Sequence, residues 1–146
     1  ATDAATLAPS ACNRQPFKFI HLTDSTKVKK AASFAMGTAG WVDSIKNLIV
    51  VVGTLEAYPK ERDRHVIYID GSLAAMQFML ACDSLDLATC PINWPDVEQR
   101  ERKMEKFLGL ESYERPIMLI ALGYPDPKGQ IPFSAKKPSN IILKEN

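Results

Sequence analysis

The chain has 146 residues, of which 46% are hydrophobic, and its 18 basic and 17 acidic side chains leave a formal charge of +1. This length suits one globular domain with a real core, and the balanced charge predicts no electrostatic footprint for nucleic acid or for an anionic membrane. The longest apolar run, 48–52, is far shorter than the ~20 residues that span a bilayer.

The first elements along the chain are a helix end, a loop and a strand. Residues 1–8 are Ala-rich, which is typical of the end of a helix, and prolines bound the loop Pro9–Pro16. Phe17–Leu22 alternates large apolar and polar side chains and predicts a strand. Asp24 or Ser25 can cap the helix that follows.

Gly37–Gly40 ends that helix, and the middle of the chain is strongly apolar. Asn47–Thr54 is β-branched and continuously apolar, which predicts a central strand buried on both faces. Tyr58–Asp63 is a charged loop. Val66–Leu85 is the longest helical pattern and is apolar enough for a buried central helix. The large apolar residues that repeat along it are Ile69, Leu73, Met76 and Leu80.

The last third alternates extended and helical segments. Residues 87–94 are short and extended, and Asp96 is expected to cap a charged helix over 97–108 that stops at Gly109. Pro116–Gly123 predicts another buried strand, and 124–146 is Pro- and Lys-rich and mostly irregular. Together these elements predict an α+β fold with a mixed sheet flanked by helices, in one domain over 1–146.

The sequence offers no ordinary catalytic set. Its two histidines, His21 and His65, have no Cys, Asp or Glu neighbour at metal-ligand spacing, so no metal site is expected. No GxSxG, Walker or GxGxxG motif is present. Cys12, Cys82 and Cys90 are odd in number and form no CxxC, which predicts reduced thiols in a cytoplasmic protein.

The most distinctive segment is Ala8-Pro9-Ser10-Ala11-Cys12-Asn13-Arg14-Gln15-Pro16-Phe17. Its polar side chains and backbone N–H groups can donate hydrogen bonds to a planar, polar ligand. A self-capping turn explains the same composition, because Ser and Asn bond to their own backbone in turns. Spacing alone favours the self-capping turn.

This segment closely resembles the APSxxNxQPW/F motif of FMN-dependent nitroreductases. Three further segments resemble the family in the same order. They are the central helix with its flavin-contacting turn (IDGSLAAMQFMLACDSLDLATCPINW), the helix that ends in Phe107-Leu108-Gly109-Leu110, and the strand in RPIMLIALGYPDP. The resemblance covers residues 5 to about 140 and implies a nitroreductase-like homodimer with flavin sites shared between its subunits.

The resemblance also implies site residues. In the motif turn, which the family contributes from the second subunit, the positions near the flavin are Pro9, Ser10, Asn13 and Gln15. A second turn passes the redox edge of the flavin, with a backbone N–H facing N5, and it consists of Pro91, Ile92 and Asn93. The C-terminal cations expected at the FMN phosphate are Lys136 and Lys137, because a phosphate binds cations and donors. A solvated tail explains these two lysines equally well. No side chain is expected to act as a catalytic residue, since the flavin carries the chemistry.

The implied activity is hydride transfer from NADH or NADPH, through flavin N5, to a nitroaromatic, a quinone or a similar acceptor in a ping-pong cycle. A non-catalytic flavin-binding or interaction domain of the same fold is the alternative. It is favoured by a departure from the family: the N-terminal phosphate-binding segment does not occur in this sequence, and upstream residues are one expected source of it. Trp94 and Phe17 are candidate walls of the flavin site, and a core role suits each equally well. Asp86 replaces the usual glycine after the central helix, in a conformation that Asp tolerates.

Overall fold

A computed structural model describes residues 1–143 as an α+β fold around one four-stranded sheet with the strand order β1-β2-β4-β3. The strands are Phe17–Leu22 (β1), Asn47–Thr54 (β2), Ala88–Asn93 (β3) and Glu114–Gly123 (β4). The helices are Thr2–Ala5 (α1), Ser25–Phe34 (α2), Val66–Asp83 (α3), Glu98–Leu108 (α4) and Ser139–Ile142 (α5). The predicted fold class is confirmed.

The prediction of a mixed sheet is wrong, because all three strand pairings within residues 1–143 are antiparallel. The strands β2 and β3 do run in the same direction, as expected for two strands joined through a helix. They are not neighbours, however, because β4 lies between them and runs antiparallel to both.

Strand β2 is the centre of the domain and is buried on both faces, as predicted. Its side chains alternate between two cores, as the period of a strand requires. Leu48, Val50 and Val52 face a core that includes α2 and α4. Ile49 and Val51 face a second core, which includes α1 and α3.

The helix ends follow local chemistry. Asp24 is the N-cap of α2, and its carboxylate accepts a hydrogen bond from the backbone N–H of Lys27 at 2.9 Å. The N-cap of α4 is Val97, one residue later than the predicted Asp96. Gly109 ends α4 in the left-handed conformation with a φ of 65°, and Asp86 has a φ of 58°, as expected for a residue that tolerates this region.

Helix α3 differs from its prediction, because it is buried on only one face. Its buried face contains mainly small residues, whereas its large apolar residues lie on the outer face: Ile69, Leu73, Met76 and Leu80 are 42–54% exposed. We call these four residues the outer stripe of α3. By length and composition alone, the stretch Glu61–Asp83 could cross a membrane, but a core helix packed on a sheet passes the same test, so one such helix is weak evidence.

The buried face of α3 approaches the sheet closely. A Cβ atom built on Gly71 would lie 2.4 Å from Cδ1 of Ile117 on β4, and one built on Gly53 of β2 would lie 2.9 Å from the same atom. The Ile117 side chain therefore occupies the space that two absent side chains leave. This contact explains why a glycine interrupts an otherwise helix-forming sequence.

Residues 124–143 form a C-terminal tail that is exposed along its whole length. It contains no strand and a single short helix, α5, which confirms the predicted irregular segment as far as residue 143. Ile131 and Phe133 are each 93% exposed, so this tail presents apolar side chains that its own domain does not cover. Residues 144–146 lie outside the described part of the chain.

Candidate functional site

A cleft of about 850 Å³ opens between the start of α3, the end of β3 and strand β4. Its lining residues are Arg64, His65, Tyr68, Ser72, Pro91, Ile92, Asn93, Trp94, Asp96, Glu101, Ile117 and Met118. Ligand sites in proteins are concave, mostly apolar and of this size, with a few polar groups. The cleft is therefore the leading candidate for the functional site.

Pro91, Ile92 and Asn93 all line this cleft, but they form the end of a strand instead of the predicted turn. They pair with Ile120, Leu119 and Met118 on β4. Proline is tolerated here because β3 is an edge strand, where alternate N–H groups need no partner. For the same reason, the open edge of β3 offers free backbone donors and acceptors to a ligand.

An aromatic and apolar wall surrounds this strand end. Trp94 lines the cleft and also packs against the core on the α2 side. Its indole Nε1 is buried and has no hydrogen-bond partner among residues 1–143. Phe17 does not line the cleft: its ring lies 6.2 Å from that of Phe19 in the other core. Of the two candidate walls, only Trp94 is at this site.

A charged cluster reaches the cleft through Glu101, whereas its other members, Arg115 and Glu105, are not among the residues that line the cleft. Glu101 of α4 pairs with Nε of Arg115 at 2.8 Å, and a guanidinium nitrogen of Arg115 lies 3.3 Å from Glu105. Burial raises the pKa of Glu101, and the positive charge of Arg115 opposes that shift. Burial also raises the pKa of Tyr68, and the negative charge of Glu101 raises it further. Tyr68 therefore presents a neutral hydroxyl to the cleft at neutral pH.

The motif turn lies elsewhere in the single chain and is held together by its own hydrogen bonds. The backbone N–H of Gln15 donates to Oγ of Ser10 at 2.7 Å, and the Gln15 amide donates to Oδ1 of Asn13 at 3.3 Å. Pro9 is exposed at the start of this turn. Three residues of this turn have positive backbone φ angles, which residues other than glycine rarely adopt. They are Cys12, Asn13 and Gln15, with φ values of 54°, 52° and 48°.

Helix α3 separates this turn from the cleft. The turn contacts Asp70, whereas the cleft is lined by Tyr68 and Ser72, which lie two residues away on either side. Successive residues of a helix are about 100° apart, so Asp70 points to the other side of α3 from Tyr68 and Ser72. One chain does not bring its motif turn and its Pro91–Asn93 segment together.

The C-terminal cations are a third, separate group. Lys136 and Lys137 lie in the exposed tail and are not among the residues that line the cleft. The predicted site residues thus fall into three places in the described chain: the cleft, the motif turn and the tail.

Sequence reasoning missed several residues that the structure brings to these places, namely Asp70, Tyr58, Tyr68, Glu101 and Arg115. Only Asp70 had a signal in the sequence, because it is an acidic residue inside an apolar helix. His65 is exposed and also lines the cleft. His21 lies on β1 with a ring nitrogen 3.3 Å from Oδ1 of Asn47.

Comparisons with known proteins agree with this architecture. Residues 29–124 match the sequence model of the Nitroreductase family. The chain is 28% identical over 123 residues to an Archaeoglobus fulgidus protein provisionally named NADH dehydrogenase/NAD(P)H nitroreductase, and the match covers 84% of this chain and 68% of that protein.

Two solved structures share the fold. The structure of a protein from Clostridium acetobutylicum, provisionally named an NADH oxidase, superposes with a TM-score of 0.81 and 26% identity, over 99% of this chain and 84% of that chain. The FMN-dependent nitroreductase of Clostridium difficile superposes with a TM-score of 0.75 and 22% identity, over 94% of this chain and 78% of that chain. The second likeness is one of fold alone.

Proposed function

This chain belongs to the nitroreductase family, whose matched relatives carry oxidoreductase names, and from that premise we propose that it is an FMN-dependent NAD(P)H oxidoreductase. When bound, FMN would accept a hydride from NADH or NADPH at N5 and deliver reducing equivalents to a nitroaromatic, a quinone or a similar acceptor. The relatives' names support the nicotinamide donor, and one neighbour's name supports FMN.

The observation that carries this proposal is the cleft at the open edge of β3. Its base is apolar, with Ile92 and Ile117 buried, and Trp94 adds an aromatic side chain to the lining, so a planar aromatic ring system can pack there. The backbone edge at Asn93 supplies fixed dipoles beside the ring, and such dipoles require no particular side chain. These features fit an isoalloxazine ring.

We propose further that the complete flavin site needs a second copy of this chain. The motif turn lies on the far side of α3 from the cleft, so its Asn13 amide can reach a flavin only in a neighbouring subunit. The outer stripe of α3 supports this arrangement, because four large apolar side chains in a row are expected to be covered. A homodimer packed through α3 would cover them.

The exposed tail fits the same arrangement. Lys136 and Lys137 are free to meet an FMN phosphate once the tail packs against the dimer, and its apolar side chains give it a reason to pack. Acceptor choice would depend on Glu101, which lines the cleft and pairs with Arg115. Three unbonded cysteines are consistent with a reducing compartment, and we propose a cytoplasmic protein on that basis.

An absorbance spectrum tests the proposed function directly. The purified protein should be yellow, or become yellow on reconstitution with FMN, and should bleach with NADH or NADPH under anaerobic conditions. Addition of a quinone or a nitroaromatic should restore the colour. A protein that binds FMN but is never reduced would be the non-catalytic flavin-binding domain. A protein that takes up no FMN would contradict the proposed oxidoreductase and would fit a non-catalytic interaction domain of the same fold.

A further inference from the structure

A single buried carboxylate holds the motif turn in place. Asp70 is 2% exposed and lies on the otherwise apolar buried face of α3. Its Oδ2 atom accepts hydrogen bonds from the Ser10 hydroxyl at 2.7 Å, the Ala11 backbone N–H at 3.1 Å and the Tyr58 hydroxyl at 2.7 Å. A buried carboxylate is costly unless it is bonded in this way, so Asp70 and its donors form one unit.

The turn depends on such an outside anchor, because its own backbone is unfavourable. Cys12, Asn13 and Gln15 occupy the left-handed region, which costs energy for any residue with a Cβ atom. Strained conformations persist only where the surroundings determine them. Ser10 and Ala11, in the first half of this turn, both donate hydrogen bonds to the buried Asp70.

A relay of hydrogen bonds carries this anchoring along the turn. The Ser10 hydroxyl donates to Asp70 and accepts from the backbone N–H of Gln15, and the Gln15 side chain in turn donates to Asn13. The Ser10 hydroxyl is therefore committed within the chain. The exposed amide of Asn13, whose nitrogen donates to nothing within residues 1–143, remains free for a ligand.

A neighbouring loop closes the unit from the other side. The guanidinium of Arg14 donates to the Ala57 carbonyl at 2.7 Å and lies 5.6 Å from the centroid of the Tyr58 ring. Burial, together with the hydrogen bond to Asp70, raises the pKa of Tyr58 to about 12. Tyr58 therefore remains a hydrogen-bond donor at neutral pH.

We propose that Asp70 is a positioning residue for flavin binding. Without touching the flavin, its carboxylate fixes the Ser10–Gln15 turn through Ser10 and Ala11 and thereby orients the Asn13 amide. This inference rests on the proposed function, because the turn is a flavin contact only if the protein binds FMN.

A double-mutant cycle in FMN affinity tests this role. Asp70→Asn keeps the shape of the side chain and removes the charge, and Ser10→Ala removes the first bond of the relay. Each change should weaken FMN binding about tenfold, since hydrogen bonds to a charged acceptor are the stronger kind. The double variant should bind FMN about as tightly as the single variant with the lower affinity, because both changes break the same relay.

Glu114→Gln is the matched control for this cycle. Glu114, at the start of β4, is also a buried acid and is 7% exposed. It pairs with Lys18 and does not line the cleft. The FMN affinity of the Glu114→Gln protein should stay within about twofold of that of the parent protein, whereas its free energy of unfolding should fall. Equal losses of affinity in Glu114→Gln and Asp70→Asn would show a general effect of stability and would overturn the positioning role.

Amide hydrogen exchange of the FMN-free protein separates this inference from the proposed function. Asp70→Asn should speed exchange over residues 10–15 and leave α3 and the sheet unchanged. If the parent protein binds no FMN, faster exchange at the turn still supports Asp70 as its anchor, while the proposed function fails. If Asp70→Asn binds FMN as tightly as the parent protein, the inference is wrong. Should that variant not fold, Ser10→Ala must both open the turn and weaken FMN binding, or the inference is wrong.

Discussion

A charge placed in the outer stripe of α3 should separate the proposed dimer. The perturbation is Met76→Glu, at the middle of the stripe. Met76 is 50% exposed in the single chain, and its neighbours Leu73 and Leu80 are 42% and 54% exposed. A second copy that packs on α3 must cover this position.

The magnitude follows from these exposures. Full burial of a large apolar side chain contributes about 1.5–3 kcal/mol, so covering the exposed half contributes about 0.7–1.5 kcal/mol. Four such residues in each of two copies contribute about 6–12 kcal/mol, which is comparable to the cost of association, ~4–15 kcal/mol. Met76→Glu would remove two of these contributions and bury two like charges, so the dimer should weaken by at least about 4 kcal/mol, or roughly a thousandfold in Kd.

Sedimentation velocity over a range of concentrations measures this effect. The parent protein should sediment as a dimer at micromolar concentration, and Met76→Glu as a folded monomer with much weaker FMN binding. Gln99→Glu, which adds the same charge at an exposed position of α4, should leave the dimer intact. A Met76→Glu protein that stays dimeric, or a parent protein that is monomeric, would refute this account of α3.

Three further predictions concern the domain itself. Gly71→Ala should lower the free energy of unfolding by about 1–3 kcal/mol through contact with Ile117, and Ile117→Val should recover part of that loss in chemical denaturation; additive losses would count against the contact. Burial alone would raise the pKa of Glu114, but Lys18 and a backbone N–H lower it, so its stabilising contribution should be present above about pH 4.5 and be lost in acid. The acid side of the stability–pH curve should therefore flatten in Glu114→Gln; an unchanged curve would contradict this. Since the pKa of Tyr58 is raised to about 12, stability should fall between about pH 10 and 12, and Tyr58→Phe should reduce that fall.

The sequence predicts the framework of the domain well where one physical requirement dominates. The bounds of β1 and β2 are confirmed, because alternation and continuous β-branched apolar sequence have few other structural solutions. Segment 87–94 was predicted to be extended, which strand β3 confirms, but the resemblance implied a turn at Pro91–Asn93. Only the tertiary structure shows that β3 is an edge strand, where a proline does not interrupt the pairing.

The candidate site was less predictable, for two physical reasons. Helix α3 is apolar on both faces, so periodicity cannot tell which face packs on its own sheet. The small residues, including Gly71, pack inward because they allow close approach, and the larger residues of the stripe are left outside. Asp70 was missed because its partners, Ser10 and Tyr58, are 60 and 12 residues away, and no local pattern joins them.

These two features of α3 together explain why this fold should act as a pair of chains. Asp70 on the inner face fixes the motif turn, and the outer stripe can hold a second copy in register with the first. The cleft beside Tyr68 lies next to that outer face, so a partner packed there would bring its own motif turn toward the edge of β3. One helix would then set both the shape of each half-site and the distance between the halves. A change on either face should therefore weaken FMN binding. A change on the inner face would loosen the turn, and a change on the outer face would separate the chains.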